Sequence, residues 1–388
     1  MIRFCVRVFQ LVAFLLAASP AEALDPERTL SQFHHRRWTA EEGAPPIINN
    51  LVQGPDGYIW IASSAGLHRF DGVTFEAVAL DRQRSNSASI TALMAAQDGS
   101  IWVGYRSGEV AVYRGGILRV ARRPPNATAV VSRLVQTPDG AIWVTYQTPR
   151  GSLQRYADGR WTAIGPDWGL PREEAASMVV AKDGSLWLLA AFHVYRLPPG
   201  ASRFERYIPH VPGSAIMADG EGRIWRSGPE GSQIIWPKPA GAATAVFPTP
   251  PFTGWPFLPR FDRDGNLWGL TGPGIFRVRA PAQAMSLSPA ARAAGVEPAY
   301  KGRTPLTPES VLAFLEDREG NIWLGTTLGL DQFSAADVVV EPVLTGNMSF
   351  GGGFSLLSAS DGTVYAGMAD QVVRVPPNGK AGTAFRHS

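Results

Sequence analysis

Short apolar-rich segments separated by polar turns recur along most of the chain, at the lengths of β-strands. Residues 90–121 show the pattern, with four such segments joined by turns rich in Asp, Gly and Ser. The third segment, residues 110–113, and its counterparts elsewhere alternate apolar with polar side chains, as a half-buried strand does. The pattern therefore predicts units of four short antiparallel strands connected by tight turns.

A five-residue motif, Asp-Gly-x-Ile/Leu-Trp, marks one turn of each unit and occurs in eight copies, some with Glu for Asp or with Tyr for Trp. The aromatic residues of the copies are Trp60, Trp102, Trp143, Trp187, Trp225, Trp268, Trp323 and Tyr365. Their spacings are 42, 41, 44, 38, 43, 55 and 42 positions. Asp-Gly supplies the positive φ angles that a tight hairpin requires. Four strands in about 40 residues are typical of a β-propeller blade.

We predict an all-β fold over residues 24–388, a β-propeller of four-stranded antiparallel blades. The eight copies fit either seven blades plus the start of a second ring, or one ring of eight blades. Residues 33–39 are expected to close the first ring by pairing with its last blade. The repeated Trp side chains are expected to pack between blades rather than to bind a ligand. The Ala- and Pro-rich residues 281–308 predict an insertion loop, which explains the 55-residue spacing.

The first 23 residues have the features of a secretory signal peptide. Arg3 and Arg7 make a basic start, residues 8–18 are almost wholly apolar, and Ala21-Glu22-Ala23 has the small-x-small pattern of a cleavage site. The apolar run is short for a membrane span, although an uncleaved anchor is the alternative. We therefore expect export to the periplasm.

Composition excludes several kinds of chemistry. The single cysteine, Cys5, lies in the predicted signal peptide, so the mature chain has no cysteine nucleophile and no Cys-ligated zinc. The formal net charge of +3 is too small to indicate nucleic-acid binding. The phosphate-binding loop, the Gly-x-Ser-x-Gly elbow and the His-Glu-x-x-His zinc motif do not occur in the sequence. No catalytic residue, metal ligand or cofactor is therefore predicted.

Three segments carry a family resemblance. Residues 56–75 and residues 315–326 resemble repeats of the two-component regulator propeller family, and residues 37–43 resemble the segment that precedes the first blade in such proteins. The resemblance implies a periplasmic sensor of a small ligand, often a glycan fragment, with a histidine kinase or diguanylate cyclase further along the chain. It leads us to expect that this chain is the N-terminal part of a longer sensor histidine kinase, tethered to the membrane.

The turns between the second and third strands are the expected binding surface. They lie on the face opposite the Asp-Gly turns and vary between copies, and variable loops on a rigid scaffold commonly bind ligands. These turns carry the candidate ligand-binding residues Tyr105, Arg106, Tyr146, Gln147, His193, Arg226, Thr326 and Thr327. Tyr, Arg and Gln together suit a polar, hydroxylated or anionic ligand, such as an oligosaccharide.

Two other functions fit the same repeats. A secreted lyase of the streptogramin type would need a base and a metal-binding carboxylate in the funnel, for which His193 and Asp370 are the candidates. A protein-binding scaffold would show an exposed apolar patch of several hundred Å². The expected partners of a sensor are a small polar ligand and a downstream signalling domain, with a homodimer left open.

Overall fold

The computed structural model describes residues 24, 28–78, 89–122, 129–147, 152–171, 175–190, 192–209, 215–228, 231–237, 258–271, 274–284, 296–297, 310–336, 355–367, 371–376 and 382–386. The chain divides into two compact units, Met1–Ala335 and Ala336–Ser388. The predicted signal peptide, residues 1–23, lies outside the described residues.

Antiparallel sheets account for the first four repeats, one sheet for each repeat. The first sheet contains β2 (Ile48–Gln53), β3 (Ile59–Ser63), β4 (Gly66–Phe70) and β5 (Phe75–Ala77). The second contains β6 (Ile90–Ala95), β7 (Ile101–Tyr105), β8 (Val110–Arg114) and β9 (Ile117–Arg122). The third contains β10 (Val130–Gln136), β11 (Ile142–Gln147), β12 (Ser152–Ala157) and β13 (Arg160–Ile164). The fourth contains β14 (Ala175–Val180), β15 (Leu186–Ala190), β16 (His193–Leu197) and β17 (Glu205–Pro209).

The next three sheets complete the larger unit. In the described residues the fifth sheet has three strands, β18 (Ala215–Ala218), β19 (Ile224–Gly228) and β20 (Gly231–Trp236). The sixth likewise has β21 (Leu258–Phe261), β22 (Leu267–Thr271) and β23 (Gly274–Val278). The seventh has β24 (Val311–Glu316), β25 (Ile322–Thr326) and β26 (Gly329–Ser334). Its fourth strand is β1 (His34–Thr39), from the start of the chain.

The pairing expected of residues 33–39 is therefore present, because β1 pairs antiparallel with β26 from His34–Ser334 to Thr39–Gly329. The imidazole Nε2 of His35 lies 2.7 Å from Oδ1 of Asp331, and both side chains are buried. The helical segments among the described residues are 3₁₀ turns at Leu30–Gln32, Ala40–Glu42 and Pro166–Trp168 and an α-helical turn, α1, at Pro281–Ala284.

The repeated Trp residues lie between sheets, as the sequence predicts, and all seven are at most 5% exposed. Each packs against the sheet that follows its own; Trp102, for example, shares a core cluster with Ile142 of the third sheet. Trp323 of the seventh sheet packs against Ile59 and Ile61 of the first. Within the described part of the larger unit, the seven sheets thus follow one another in a closed order, as in a β-propeller.

The turn between the first and second strand of each sheet has the predicted geometry. The glycine of all eight motif copies, which lie in these turns, has a φ between 78° and 87°. In four of the seven Trp repeats the residue six positions before the Trp accepts its indole N–H, and in the fourth repeat the Ser185 hydroxyl accepts that of Trp187 at 2.9 Å instead. Among the four, Asp219, Asp262 and Asp317 each accept the indole N–H at 2.7 Å, and Thr137 accepts it at 3.0 Å.

Position 96 is the corresponding site in the second repeat and holds an alanine, and the buried Nε1 of Trp102 has no hydrogen-bond partner among the described residues. We expect Ala96→Thr to raise the free energy of unfolding by about 1 kcal/mol, because its hydroxyl can accept the indole N–H as Thr137 does in the third repeat. Urea denaturation checks this, with Ala96→Val as the control of similar shape. Equal stability of the Thr and Val variants would contradict the expectation.

Glycine in a second strand allows two first strands to approach each other. A Cβ on Gly325 would lie 2.9 Å from the backbone oxygen of Ile48 and 2.9 Å from the Cβ of Ala313. Gly104 in β7 is similar, since a Cβ there would collide with Val131 of the next sheet. These two glycines are therefore required for packing between neighbouring sheets.

Gly325→Ala is expected to lower the free energy of unfolding by about 1–3 kcal/mol, because the added methyl group would separate the seventh sheet from the first. Urea denaturation of the full chain measures the change. Gly382→Ala is the control, since a Cβ at Gly382 meets no atom within 4 Å. Unchanged stability of the Gly325 variant would contradict this account of the contact between the two sheets.

Two short parts of the predicted insertion loop, 281–308, are described. They are α1 and residues 296–297, where Val296 forms a β-bridge with Val278 and the backbone N–H of Glu297 donates to the Arg277 oxygen at 2.8 Å. The Glu297 carboxylate contacts Arg277, Arg279 and the N–H of Leu30. These residues join the segment between the sixth and seventh repeats to the start of the larger unit.

The smaller unit contains the eighth repeat. It forms one antiparallel sheet in the order β27 (Ser355–Ser358), β28 (Val364–Gly367), β29 (Gln371–Val375) and β30 (Gly382–Arg386). Tyr365 takes the place of the repeated Trp and is half-buried. The eighth repeat is therefore the same four-stranded unit as the first four.

Candidate functional site

Two of the predicted ligand-binding residues are buried in the packing between sheets. Tyr105 ends β7 and is 4% exposed, in a core cluster with Trp60 and Ile90, and its hydroxyl has no hydrogen-bond partner among the described residues. Tyr146 in β11 is 1% exposed. Burial raises the pKa of both phenols, and for Tyr146 the nearby Arg122 charge opposes this rise.

The other six predicted residues lie around the turns that follow the second strands. Arg106 and Gln147 are exposed, and His193 is half-buried at the start of β16. The Arg226 guanidinium lies beside the buried Gln233, whose side-chain oxygen can accept its Nε–H at 2.9 Å. The structure thus distributes these residues over several sheets instead of gathering them in one pocket.

The seventh sheet supplies the remaining pair. The Thr326 hydroxyl is buried and donates to the Gly329 oxygen at 3.1 Å, and it accepts the N–H of Gly329 at 3.0 Å, which organises the turn. The backbone oxygen of Thr327 accepts the N–H of Ile47 at 3.0 Å. Both threonines stabilise the turn next to the first sheet. Ligand binding by any of the eight predicted residues stays a prediction.

A cavity of about 620 Å³ lies among the first strands of the sheets, the strands nearest the centre of the ring. Six of these strands contribute to its described lining, β2, β6, β10, β14, β21 and β24. Its volume falls within the range of about 300–1,000 Å³ that is usual for small-molecule sites. Polar lining comes from Asn49, Asn50, Thr91 and Ser132 among others, and Phe314 adds an aromatic ring. This central cavity is our candidate functional site.

Two arginines give the central cavity its charge. Arg133 is on β10 and Arg260 on β21, and the described lining contains no acidic residue, lysine or histidine. Burial lowers the pKa of Arg133. Burial and then the Arg133 charge lower the pKa of Arg260 to about 9. Both guanidinium groups therefore remain charged at neutral pH, in a site that stabilises their charge less well than water does.

None of the eight residues predicted from the sequence lines the central cavity. That prediction relied on the variable turns, whereas the cavity is lined by first strands, which in most repeats read as ordinary apolar strands. A signal was nevertheless present, because Arg133 and Arg260 are charged residues inside apolar-rich segments. Asp370, the carboxylate considered for a lyase, lies outside the described residues.

Neither a metal centre nor a membrane span is found in the described parts of the chain. No cluster of three or more His, Cys, Asp or Glu side chains there could hold a metal ion. No helix within those ranges is long and apolar enough to cross a membrane.

Solved structures with a similar fold include extracellular domains of two proteins of B. thetaiotaomicron, each assigned to a hybrid two component system. One is 19% identical to this chain with a TM-score of 0.60, and the match covers 91% of this chain and 47% of that domain. The other is 17% identical with a TM-score of 0.64, and the match covers 91% of this chain and 49% of that domain. This chain therefore spans about half the length of those domains.

Virginiamycin B lyase from Staphylococcus aureus also has a similar fold, with 14% identity and a TM-score of 0.58, covering 78% of this chain and all of the lyase. No curated protein sequence matches the chain. Residues 305–327, which include the seventh Trp, match the family model described as two component regulator propeller. This match and the shared propeller fold confirm the resemblance seen in the repeats: the chain carries a repeat of the two component regulator propeller family in a β-propeller fold.

Proposed function

We propose that this chain is the ligand-sensing propeller of a two-component signalling protein and that it acts outside the cytoplasm. The observation that carries the proposal is a two component regulator propeller repeat within a fold shared with extracellular domains of two component systems. The signal-peptide features of residues 1–23 support export to the periplasm. Because those extracellular domains belong to two component systems, the proposal includes a downstream kinase or cyclase region of the same or a partner chain.

The ligand in this proposal is a small polar molecule, such as an oligosaccharide, held in the central cavity. Asn, Thr, Ser and Gln side chains in the lining provide hydrogen bonds, while Phe314 and Met94 provide apolar contact for the faces of a sugar ring. A sensor must bind its ligand more tightly in one conformational state than in another. The first strands could couple binding to a change of conformation, because a ligand that contacts several of these strands would change how the sheets pack.

The test is a thermal-shift panel on the exported protein, with neutral and acidic monosaccharides and oligosaccharides, amino acids and dicarboxylates. We expect at least one compound to raise the Tm saturably, since binding to the folded state alone stabilises it. A panel without any saturable shift would contradict ligand sensing. Size-exclusion chromatography with light scattering, with and without the compound that shifts Tm most, would show whether the protein forms a homodimer.

The lyase alternative has one observation in its favour, the fold that this chain shares with virginiamycin B lyase over that enzyme's full length. Mass spectrometry after incubation with quinupristin, the compound in that lyase's structure, separates the two functions. An unchanged compound supports the sensor, and enzyme-dependent conversion to a product would replace it with a lyase.

A further inference from the structure

Arg260 occupies a place in the repeat that is apolar elsewhere. Arg260 pairs across the strands with Trp268, the aromatic residue of its motif, and lies eight positions before it. In every copy the partner of the aromatic residue is the residue eight positions earlier. In the other seven copies this residue is Val52, Met94, Val135, Val179, Met217, Leu315 and Leu357. A single arginine in a position otherwise filled by Val, Met or Leu departs from what packing alone favours.

Arg133 is a second exception, two positions earlier in its repeat. Arg133 lies ten positions before Trp143 and pairs with Thr145 on the second strand. The corresponding residues of the other copies, by the same pairing, are Asn50, Ala92, Ser177, Ala215, Leu258, Ala313 and Ser355. All are uncharged, and most are small. Both exceptions line the central cavity, from the third and sixth sheets, which are three places apart in the closed order.

The two guanidinium groups have no acidic partner in the part of the chain that the structure describes. Among the described residues Arg133 has neither a hydrogen bond nor an ion pair, and Arg260 donates from Nη1 to the oxygen of its neighbour Pro259 at 2.8 Å. Buried arginines are ordinarily paired, as Arg277 is with Glu297 at 2.6 Å in this protein. Two partly desolvated charges of the same sign around one cavity destabilise the unliganded fold, and a bound anion would remove that cost.

We propose that Arg133 and Arg260 together bind an anionic group of a small ligand, a carboxylate, sulfate or phosphate, in the central cavity. The planar guanidinium fork matches the oxygen pairs of these groups. The inference rests on the proposed sensing function and narrows its ligand class, from any small polar molecule to an acidic one such as a uronic or sulfated sugar. Asn50 and Thr91 lie in the same lining and are available for hydroxyl groups of the ligand.

The experiment compares the exported wild-type protein with Arg260→Met and Arg133→Ser, residues that other copies carry at these positions, and with the double variant. Thermal shift and isothermal titration at low ionic strength would use inorganic sulfate, D-glucuronate and D-galacturonate, each beside D-glucose and D-galactose. Arg206→Met is the control, because Arg206 is exposed on the outer strand β17. It removes one positive charge without changing the cavity.

For wild type and Arg206→Met we expect a saturable rise in Tm with at least one anion and none with the neutral sugars. Each cavity substitution should weaken anion binding by about 10–100-fold, the loss expected for a hydrogen-bonded charge pair. Arg260→Met should also raise the Tm of the unliganded protein by about 2–4 °C, because it removes an unpaired charge. An arginine with a purely structural role would instead lower Tm when replaced.

Two results would overturn the inference. In the first, the double variant still responds to the anions as the wild type does. The response would then come from a site elsewhere or from the general effect of sulfate on protein stability. The second is saturable binding of neutral sugars only, unchanged in the arginine variants, which would leave ligand sensing intact and remove the acidic ligand. Binding of no compound in either panel would count against both the anion site and the proposed function.

Discussion

Glu297→Ala is expected to lower the free energy of unfolding of the full chain by about 3–5 kcal/mol, because it leaves a fully buried arginine without its counter-charge. Arg277 is 0% exposed, and its Nη2 lies 2.6 Å from Oε1 of Glu297. The same oxygen is 2.6 Å from Nε of Arg279, and the other carboxylate oxygen accepts the N–H of Leu30 at 3.1 Å. One carboxylate therefore holds two cations and the start of the larger unit.

Urea denaturation measures this loss, and Glu76→Ala is its control. Glu76 lies 2.7 Å from Arg69, but the two side chains are 45% and 33% exposed. Removing the Glu76 carboxylate should therefore change the free energy of unfolding by less than about 1 kcal/mol. Adding Arg277→Met to Glu297→Ala should recover part of the stability, because the second change removes the unpaired charge. Equal losses for the buried and the exposed pair would contradict this interpretation.

Asp262→Ala is expected to lower the free energy of unfolding by about 2–4 kcal/mol, because three donors lose their acceptor in a buried turn. Oδ2 of Asp262 accepts from Nε1 of Trp268 at 2.7 Å and from Nδ2 of Asn266 at 2.9 Å. Oδ1 accepts the backbone N–H of Asn266 at 2.8 Å. Asp317 makes the same three bonds with Asn321 and Trp323 in the seventh repeat, so the arrangement is a feature of the repeat.

Asp264→Ala is the matched control from the same turn. Asp264 is the aspartate of the Asp-Gly motif itself, and it is exposed and makes no hydrogen bond or ion pair among the described residues. Burial and the charge of Asp262 raise the pKa of Asp264, so its removal relieves repulsion and should leave stability unchanged or slightly higher. Thermal or urea unfolding of the two variants distinguishes them. An equal loss for Asp264→Ala would show that the motif aspartate supports this turn.

The fold could be predicted because the residues that determine it are close together in the sequence and recur in every repeat. The eight copies of the Asp/Glu-Gly-x-x-aromatic motif predict the hairpins, and their regular spacing predicts the sheets and the burial of Trp60 and its counterparts. The motif alone does not indicate which acidic residue binds the indole. In the sixth repeat this residue is Asp262, before the turn, and in the first and second repeats Gly54 and Ala96 occupy the same place.

The candidate site was harder to predict because it depends on strand register. Five first strands contain an irregularity near their start, as between Val131 and Arg133, and the next residues pair in a shifted register. A one-residue shift changes which side chains reach the cavity and which pack between sheets. Turn composition indicates Tyr105 and Tyr146, which are buried, and it carries no information on Arg133 and Arg260, which lie in first strands and line the cavity.

Hydrogen exchange of the full chain, with and without the panel compound that raises Tm most, tests most directly whether a ligand binds in the central cavity. We predict slower amide exchange in peptides that cover the first strands, above all β10 and β21, with little change in the outer strands β9 and β17. Protection confined to the outer strands, or unchanged exchange at saturating ligand, would contradict the account of this chain as a propeller that senses a ligand through its central cavity.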